Sequence, residues 1–223
     1  NGLFFKLLDM IDLSLWFTIC LYYNNSKGCI HIGNLLSEIF IINSGVKQGG
    51  ILSSYFFNRY VNDLLARCTS LNIGALIDNI NVSIVAYADD ILLISPSDTQ
   101  LQTLLDVCGE YGNSWRIKFN STKSNIVSFG KQDWPTQKFT INEQILTETQ
   151  SIKYLGVEIN STMNYNSYSI DKFNNVQKTV YGLSFLGLKP LELSPKLQSF
   201  IYKTYCLSKY TYGLETTTLN TLL

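Results

Sequence analysis

The sequence predicts an α+β fold, with helices and short strands mixed through residues 1–160 and a mostly helical segment over 161–223. Three observations carry that prediction. Apolar residues at Phe56, Phe57, Tyr60, Val61, Leu64 and Leu65 recur at spacings of one, three and four, which marks one buried helix face. On either side of that helix, short β-branched runs alternate with Asn, Asp and Gly clusters, the pattern of hairpins. Beyond Asn160 such runs stop, and apolar spacing of helical type continues.

Taken in order, residues 3–23 are densely apolar and predict one or two helices, ended by the turn "NNSKG". "CIHIG" and "SEIFIINSG" predict a hairpin closed near Asn34. The loop "GVKQGG" precedes the long helix, whose start Ser53 and Ser54 are competent to cap. Residues 76–85 supply short strands. Ser97 or Asp98 caps the next helix, with Leu101, Leu104, Leu105 and Cys108 on its apolar face and Gly112 as its end. "IKFN" and "NIVSFG" follow as strands, then "KFTINEQIL" as a hairpin turning at Asn142 and Glu143, then the strand segment "IKYLGVEI". The remaining helices are broken by Pro190 and Pro195. A domain boundary is therefore expected near residue 160, separating 1–160 from 161–223.

With 46% hydrophobic and 15% charged residues in 223, the chain is able to bury a sizeable core and is not of disordered composition. Its five cysteines form no CxxC pair, and His31 has no Cys or His at ligand spacing, which argues against a zinc site. They read as reduced thiols of an intracellular protein, nuclear or cytoplasmic, not secreted. Lys6, Asp9 and Asp12 interrupt "LFFKLLDMIDLSLWFTICLYY" well short of a membrane span. The chain opens on Asn1 inside an apolar pattern, and is expected to be a piece of a longer protein.

Net charge is zero, yet the charges are sorted. Between Tyr60 and Trp115 stand Asp63, Asp78, Asp89, Asp90, Asp98, Asp106 and Glu110 against Arg67 alone. From Lys172 onward, Lys172, Lys178, Lys189, Lys196, Lys203 and Lys209 face only Glu192 and Glu215. An acidic middle suits metal ions, and a basic, tyrosine-rich end suits phosphates, although a solvated lysine face has the same composition.

The acidic middle is sharpest in "VAYADDILLI", where Asp89 and Asp90 divide two apolar runs. Two adjacent carboxylates repel, by roughly 4 kcal/mol at ~4 Å and an effective dielectric of ~20. Either a solvated hairpin tip or a divalent cation offsets that repulsion, and the two are compatible. In the loop of Gly45, Val46, Lys47, Gln48, Gly49 and Gly50, glycines let backbone approach a ligand and Gln48 brings an amide that both donates and accepts. An ordinary turn before a helix would have the same composition.

"SGVKQGGILSSYFFNRYVNDLL", "YADD", "WRIKFNSTKS" and "IKYLGVEI", in that order, resemble the palm and the start of the thumb of a reverse transcriptase, most closely those of non-LTR, LINE-type retrotransposons. The resemblance implies a polymerase palm, a ferredoxin-like antiparallel sheet with helices on one face, over 1–160, and a helical thumb over 161–223. It implies RNA-directed DNA synthesis by two-metal nucleotidyl transfer, with Asp89 and Asp90 as ligands of Mg²⁺, Mn²⁺ being possible. It further implies that Gly45, Lys47, Gln48, Gly49 and Ser53 lie against the incoming nucleotide and template. Tyr87 would lie under the primer end, and Lys123 would steady or protonate the leaving phosphate. The implied partners are an RNA template, a DNA primer and deoxynucleoside triphosphates, with no membrane.

Two departures from the family pattern stand out. Ser53-Ser54 replaces a common Ser-Pro, losing a rigid first-turn proline. The family's other principal metal-binding aspartate belongs to a strand just upstream of these motifs. Asp9 and Asp12 do not replace it, because they fall within an apolar helix pattern, so this chain alone is expected to be inactive without that strand and the fingers. The competing readings are a non-catalytic nucleic-acid-binding remnant, a ferredoxin-like interaction domain, and an intron-encoded maturase.

Overall fold

A computed structural model of the chain describes residues 2–24, 26–43, 45–130, 138–189 and 192–214. These fall into two compact units, Asn1–Asn120 with Lys138–Ile145, and Ser121–Gln137 with Leu146–Leu223.

The first unit opens with helices α1 (Gly2–Leu7) and α2 (Leu13–Asn24). Asp9 and Asp12 do not lie within a continuous helix, as the apolar pattern suggests; they lie between the two. Asp12 accepts hydrogen bonds from the Ser14 amide (2.8 Å) and hydroxyl (2.6 Å), capping α2, and these bonds hold its carboxyl below the usual range. Two nested ladders follow: β1 (Lys27–Gly28) pairs with β4 (Phe40–Ile41), and β2 (His31–Ile32) with β3 (Leu35–Leu36), closing at Gly33 and Asn34. Helix α3 (Ser53–Ser70) buries Phe56, Val61, Leu64 and Cys68 on one stripe. Leu7, Ile19 and Phe56 form a core shared by α1, α2 and α3, with Trp16, Tyr23 and Val46 packed against it.

After α3 come two hairpins, β5 (Leu76–Ile77) with β6 (Ile80–Asn81), then β7 (Ile84–Tyr87) with β8 (Asp90–Leu93). Helix α4 (Asp98–Trp115) runs three residues past Gly112, the residue expected to end it. Arg116 is the left-handed terminator (φ 57°), and Gly112 serves close packing instead: a Cβ there would stand 2.6 Å from the Ile117 carbonyl oxygen. The chain therefore passes back over the helix end through 117–120 without strand pairing, so "IKFN" is not a strand.

In the second unit, β9 (Asn125–Ile126) pairs in parallel with β12 (Thr147–Glu148). Strands β10 (Thr140–Ile141) and β11 (Gln144–Ile145) belong to the first unit and turn at Asn142 and Glu143, both at positive φ. "IKYLGVEI" is itself a hairpin, β13 (Ser151–Tyr154) with β14 (Val157–Asn160), turning at Leu155 and Gly156. Then follow α5 (Asn166–Phe185), α6 (Pro195–Ile201), a π-helical segment (Tyr202–Leu207) and α7 (Ser208–Thr211). Pro195 begins α6 rather than breaking it, with the Ser194 hydroxyl accepting from the Leu197 amide. Pro190 lies outside the described residues. All seven ladders are two-stranded, six of them antiparallel, so a continuous ferredoxin-like sheet is not formed among the described residues. No described helix is long and apolar enough to cross a membrane, and all five cysteines are free thiols.

The joint between α1, α3 and α4 is polar. Lys6, its side chain only 7% exposed, donates to the Tyr60 carbonyl (2.6 Å) and to the Tyr111 hydroxyl. It also pairs with Asp63 at 2.7 Å and lies 3.9 Å from the centre of the Trp115 ring. Tyr111 is wholly buried and donates to the same Tyr60 carbonyl. Lys6→Met is expected to cost about 2 kcal/mol in denaturant stability, since charge-assisted hydrogen bonds contribute ~1.5–3 kcal/mol. Asp63→Asn, at a half-exposed partner, should cost less than about 1 kcal/mol. Equal losses would show that the cation is not the centre of the joint.

Burial, with the Asp63 charge nearby, pushes the Tyr111 phenol up to about 12, against a minor opposing effect of Arg67. Above pH 10 the unfolded chain releases this proton while the folded chain keeps it, so stability falls as pH rises from 10 towards 12. Tyr111→Phe should remove that component of the slope in a pH series of unfolding midpoints.

Candidate active site

The hairpin of β7 and β8 raises the two aspartates. Ile84 is buried while Val85 and Tyr87 face outward, and the register sets Tyr87 opposite Asp90. That leaves Ala88 and Asp89 as a two-residue turn, with Ala88 in the left-handed region at φ 52°. For a residue with a Cβ that conformation costs roughly 1–2 kcal/mol. Both carboxylates are exposed, and among the described residues neither has a hydrogen-bond or ion-pair partner. Tyr87 beside them is 66% exposed.

The glycine loop is held on one side and open on the other. Val46 packs on the core of α1, α2 and α3. The Lys47 carbonyl accepts from the Ser53 hydroxyl and from the Gly50 amide (3.0 Å). Ser53 thus ties the loop to α3 instead of capping the helix; Leu52 occupies the cap position, with no side-chain bond. Gly50 is required by this arrangement, since a Cβ there would stand 2.6 Å from the Ser53 oxygen. Gly45 and Gly49, at φ 89° and 77°, have open space where a side chain would be, and Gln48 is exposed.

Tyr22 joins this site although nothing in the residue order points to it. Its ring lies 3.7 Å from the Lys47 ammonium. No local spacing links positions 22 and 47; they meet because Tyr23 and Val46 share one core.

Helix α3 brings the two groups of residues into one unit: its first turn holds the loop through Ser53, and the same helix packs on β7. Asp89, Asp90 and Tyr87 form one group, and Gly45, Lys47, Gln48, Gly49 and Ser53 the other. Lys123 belongs to the second unit, where it is exposed, and its ammonium has no partner among the described residues. The donor set of the hairpin tip is hard oxygen, suited to Mg²⁺ or Mn²⁺. No cluster of three or more His, Cys, Asp or Glu is found among the described residues. The pair accordingly fits a cation as a partial ligand set.

The second unit carries a basic groove of about 790 Å³ between α5 and α7, lined by Lys172, Lys178 and Lys209 with Asn175, Thr179 and Tyr212. Lys209 donates to the Thr179 hydroxyl at 3.0 Å, and Lys172 lies between the Tyr168 and Tyr212 rings at 5.1 and 5.3 Å. Lys189 is instead paired with Glu192 at 3.6 Å.

Residues 5–159 match the reverse transcriptase (RNA-dependent DNA polymerase) family. The chain is 21% identical over 220 residues to the RNA-directed DNA polymerase from mobile element jockey of Drosophila melanogaster, covering 96% of this chain and 24% of that protein. It is 34% identical over 137 residues to the Pol polyprotein from type-2 retrotransposable element R2DM of Drosophila melanogaster, covering 56% of this chain and 13% of that protein. A type-1 retrotransposable element R2 polyprotein of Popillia japonica is 27% identical over 197 residues, covering 83% of this chain and 31% of that protein. The chain thus spans between about an eighth and a third of the length of these relatives. The match over most of its length, from the first helices through the aspartate hairpin, is that of a chain belonging to the reverse transcriptase family.

Proposed function

We propose that this chain is the catalytic-hairpin part of the palm, followed by the thumb over 161–223, of an RNA-directed DNA polymerase from a non-LTR, LINE-type element. The observation that carries this reading is the carboxylate pair of Asp89 and Asp90, exposed and without partners among the described residues at the tip of a hairpin whose turn strains Ala88. Mg²⁺, or Mn²⁺, held there would supply charge neutralisation for the primer oxygen and the pyrophosphate leaving group. The chain's own residues divide the remaining work. Gln48, on a loop anchored by Ser53 and opened by Gly45 and Gly49, positions the incoming nucleotide against the RNA template. Lys47 contributes a cation beside it, and Tyr87 supports the end of the DNA primer. Lys123 steadies or protonates the departing phosphate.

The chain by itself would not polymerise deoxynucleotides. Two ions need carboxylates on both sides, and no third acidic ligand accompanies Asp89 and Asp90 among the described residues. A completed polymerase, carrying an upstream strand-borne aspartate and the fingers, is the material for the test. In it Asp89→Asn is expected to abolish primer extension while leaving the metal-free denaturant midpoint unchanged or slightly raised, because it relieves like-charge repulsion at constant volume. Extension surviving the substitution would reduce the aspartates to turn residues.

The groove of Lys172, Lys178 and Lys209 supports phosphate binding by the thumb. Replacing all three with Gln should flatten the log–log salt dependence of duplex binding by about 2 to 3, near 0.9 for each phosphate that a lysine no longer neutralises. Retention of the original slope, with an unchanged melting curve, would remove the groove from the nucleic-acid path.

A further inference from the structure

A second cationic cleft lies in the first unit, lined by none of the residues of the glycine loop or the aspartate hairpin. It has a volume of about 370 Å³ and runs between the end of α4 and the hairpin of β10 and β11. Arg116, Lys118 and Phe119 line one wall, and Asn142 and Ile141 the other. Its form is set by the backbone. Gly112 lets the chain fold back so closely that a Cβ there would lie 3.1 Å from the Phe119 ring. The Ile117 amide closes the turn on the Gly112 carbonyl at 2.9 Å. Asn113 donates to the Asn142 side-chain oxygen at 3.1 Å, tying wall to wall. Gln102 secures the hairpin further by accepting from the Thr140 amide (3.0 Å) and donating to its carbonyl (2.9 Å). The cleft is thus preformed.

Its charge is one-sided. No acidic residue lines it, and neither Arg116 nor Lys118 has an ion pair among the described residues. Two cations, an aromatic ring and carboxamides in a space at the small end of the ligand-site range, ~300–1,000 Å³, match one nucleotide of a single strand. A duplex is too wide to enter such a space, and an acidic peptide would make no use of the ring.

We infer that this cleft binds single-stranded nucleic acid, with the two phosphates that flank one nucleotide on Arg116 and Lys118, one on each, and its base against Phe119. The cleft shares no residue with the thumb groove or the aspartate hairpin, so its strand contact is additional to the one proposed for polymerisation.

The test measures anisotropy of a fluorescein-labelled 12-nucleotide oligouridylate with the 223-residue chain across a salt series. The chain carries Lys172→Gln, Lys178→Gln and Lys209→Gln, so that the thumb groove is silent. Arg116→Gln with Lys118→Gln is expected to flatten the salt slope by about 1.4, near 0.7 for each of two phosphates. Phe119→Leu should weaken binding severalfold while leaving the slope alone. Should the double variant melt early, Lys118→Gln alone, at an exposed side chain, should remove about half of the slope change. An unchanged slope and affinity in these variants overturns the inference, as does hexaglutamate competing as well as unlabelled oligouridylate. Failure of the thumb reading is separately visible, as a normal slope for duplex binding in the triple-lysine variant.

Discussion

One buried cation holds the frame on which the candidate site is built. Removing an ammonium from water costs several kcal/mol. Lys6 offsets that cost with a carboxylate from α3, a carbonyl from α3, a phenol from α4 and the face of Trp115. No apolar residue at position 6 would connect to all of these, so α1, α3 and α4 meet in one register. Helix α3 then passes that register on. Its N-terminal turn ties down the glycine loop through Ser53, and its length backs β7. Tyr60 completes the lock by donating its hydroxyl to the Trp115 carbonyl at the end of α4.

What this frame carries is unsatisfied chemistry. The loop is fixed at Val46, Lys47 and Ser53, yet Gln48 is exposed and the glycines at 45 and 49 stand in open space. The hairpin is paired through all four residues of each strand, yet its turn holds a strained alanine, and the carboxylates of Asp89 in that turn and of Asp90 beside it have no partners among the described residues. Strain and like-charge repulsion persist in a folded protein only where the surroundings over-determine them. The fully paired strands β7 and β8, with α3 behind them, are that surrounding structure.

Much of this is legible in residue order because it depends on local rules. The stripe of α3, the turns at Asn34 and at Asn142 and Glu143, and the two-strand form of "VAYADDILLI" follow from periodicity and turn chemistry. What is not legible depends on meetings between distant residues. Lys6 looks like an interruption of an apolar segment, since nothing near it announces Asp63 or Tyr111. Gly112 has the composition of a helix terminator, and only the return of Phe119 makes it a packing residue. Ser53 satisfies every local condition for a cap, but the Lys47 carbonyl lies within reach and takes its hydroxyl. "IKFN" alternates like a strand but is not part of any ladder among the described residues. The wider sheet fails for the same reason, since alternation specifies a face and not the neighbour that extends it.

Zero net charge is compatible with polyanion binding because the relevant length is short. At physiological ionic strength, charges more than about 8 Å apart are largely screened, so a bound strand responds to the few cations beside it and not to the total. In this chain the exposed carboxylate pair stands at one hairpin tip, while the lysines of the groove between α5 and α7 cluster with hydroxyl and aromatic neighbours. Lys209 is oriented by Thr179, and Lys172 by two tyrosine rings, which reduces the rotamer freedom a binding event would remove. A lysine spread over open solvent has no such restraint. Partial ordering of these cations before any ligand arrives is the physical difference between a basic groove and a merely solvated basic face.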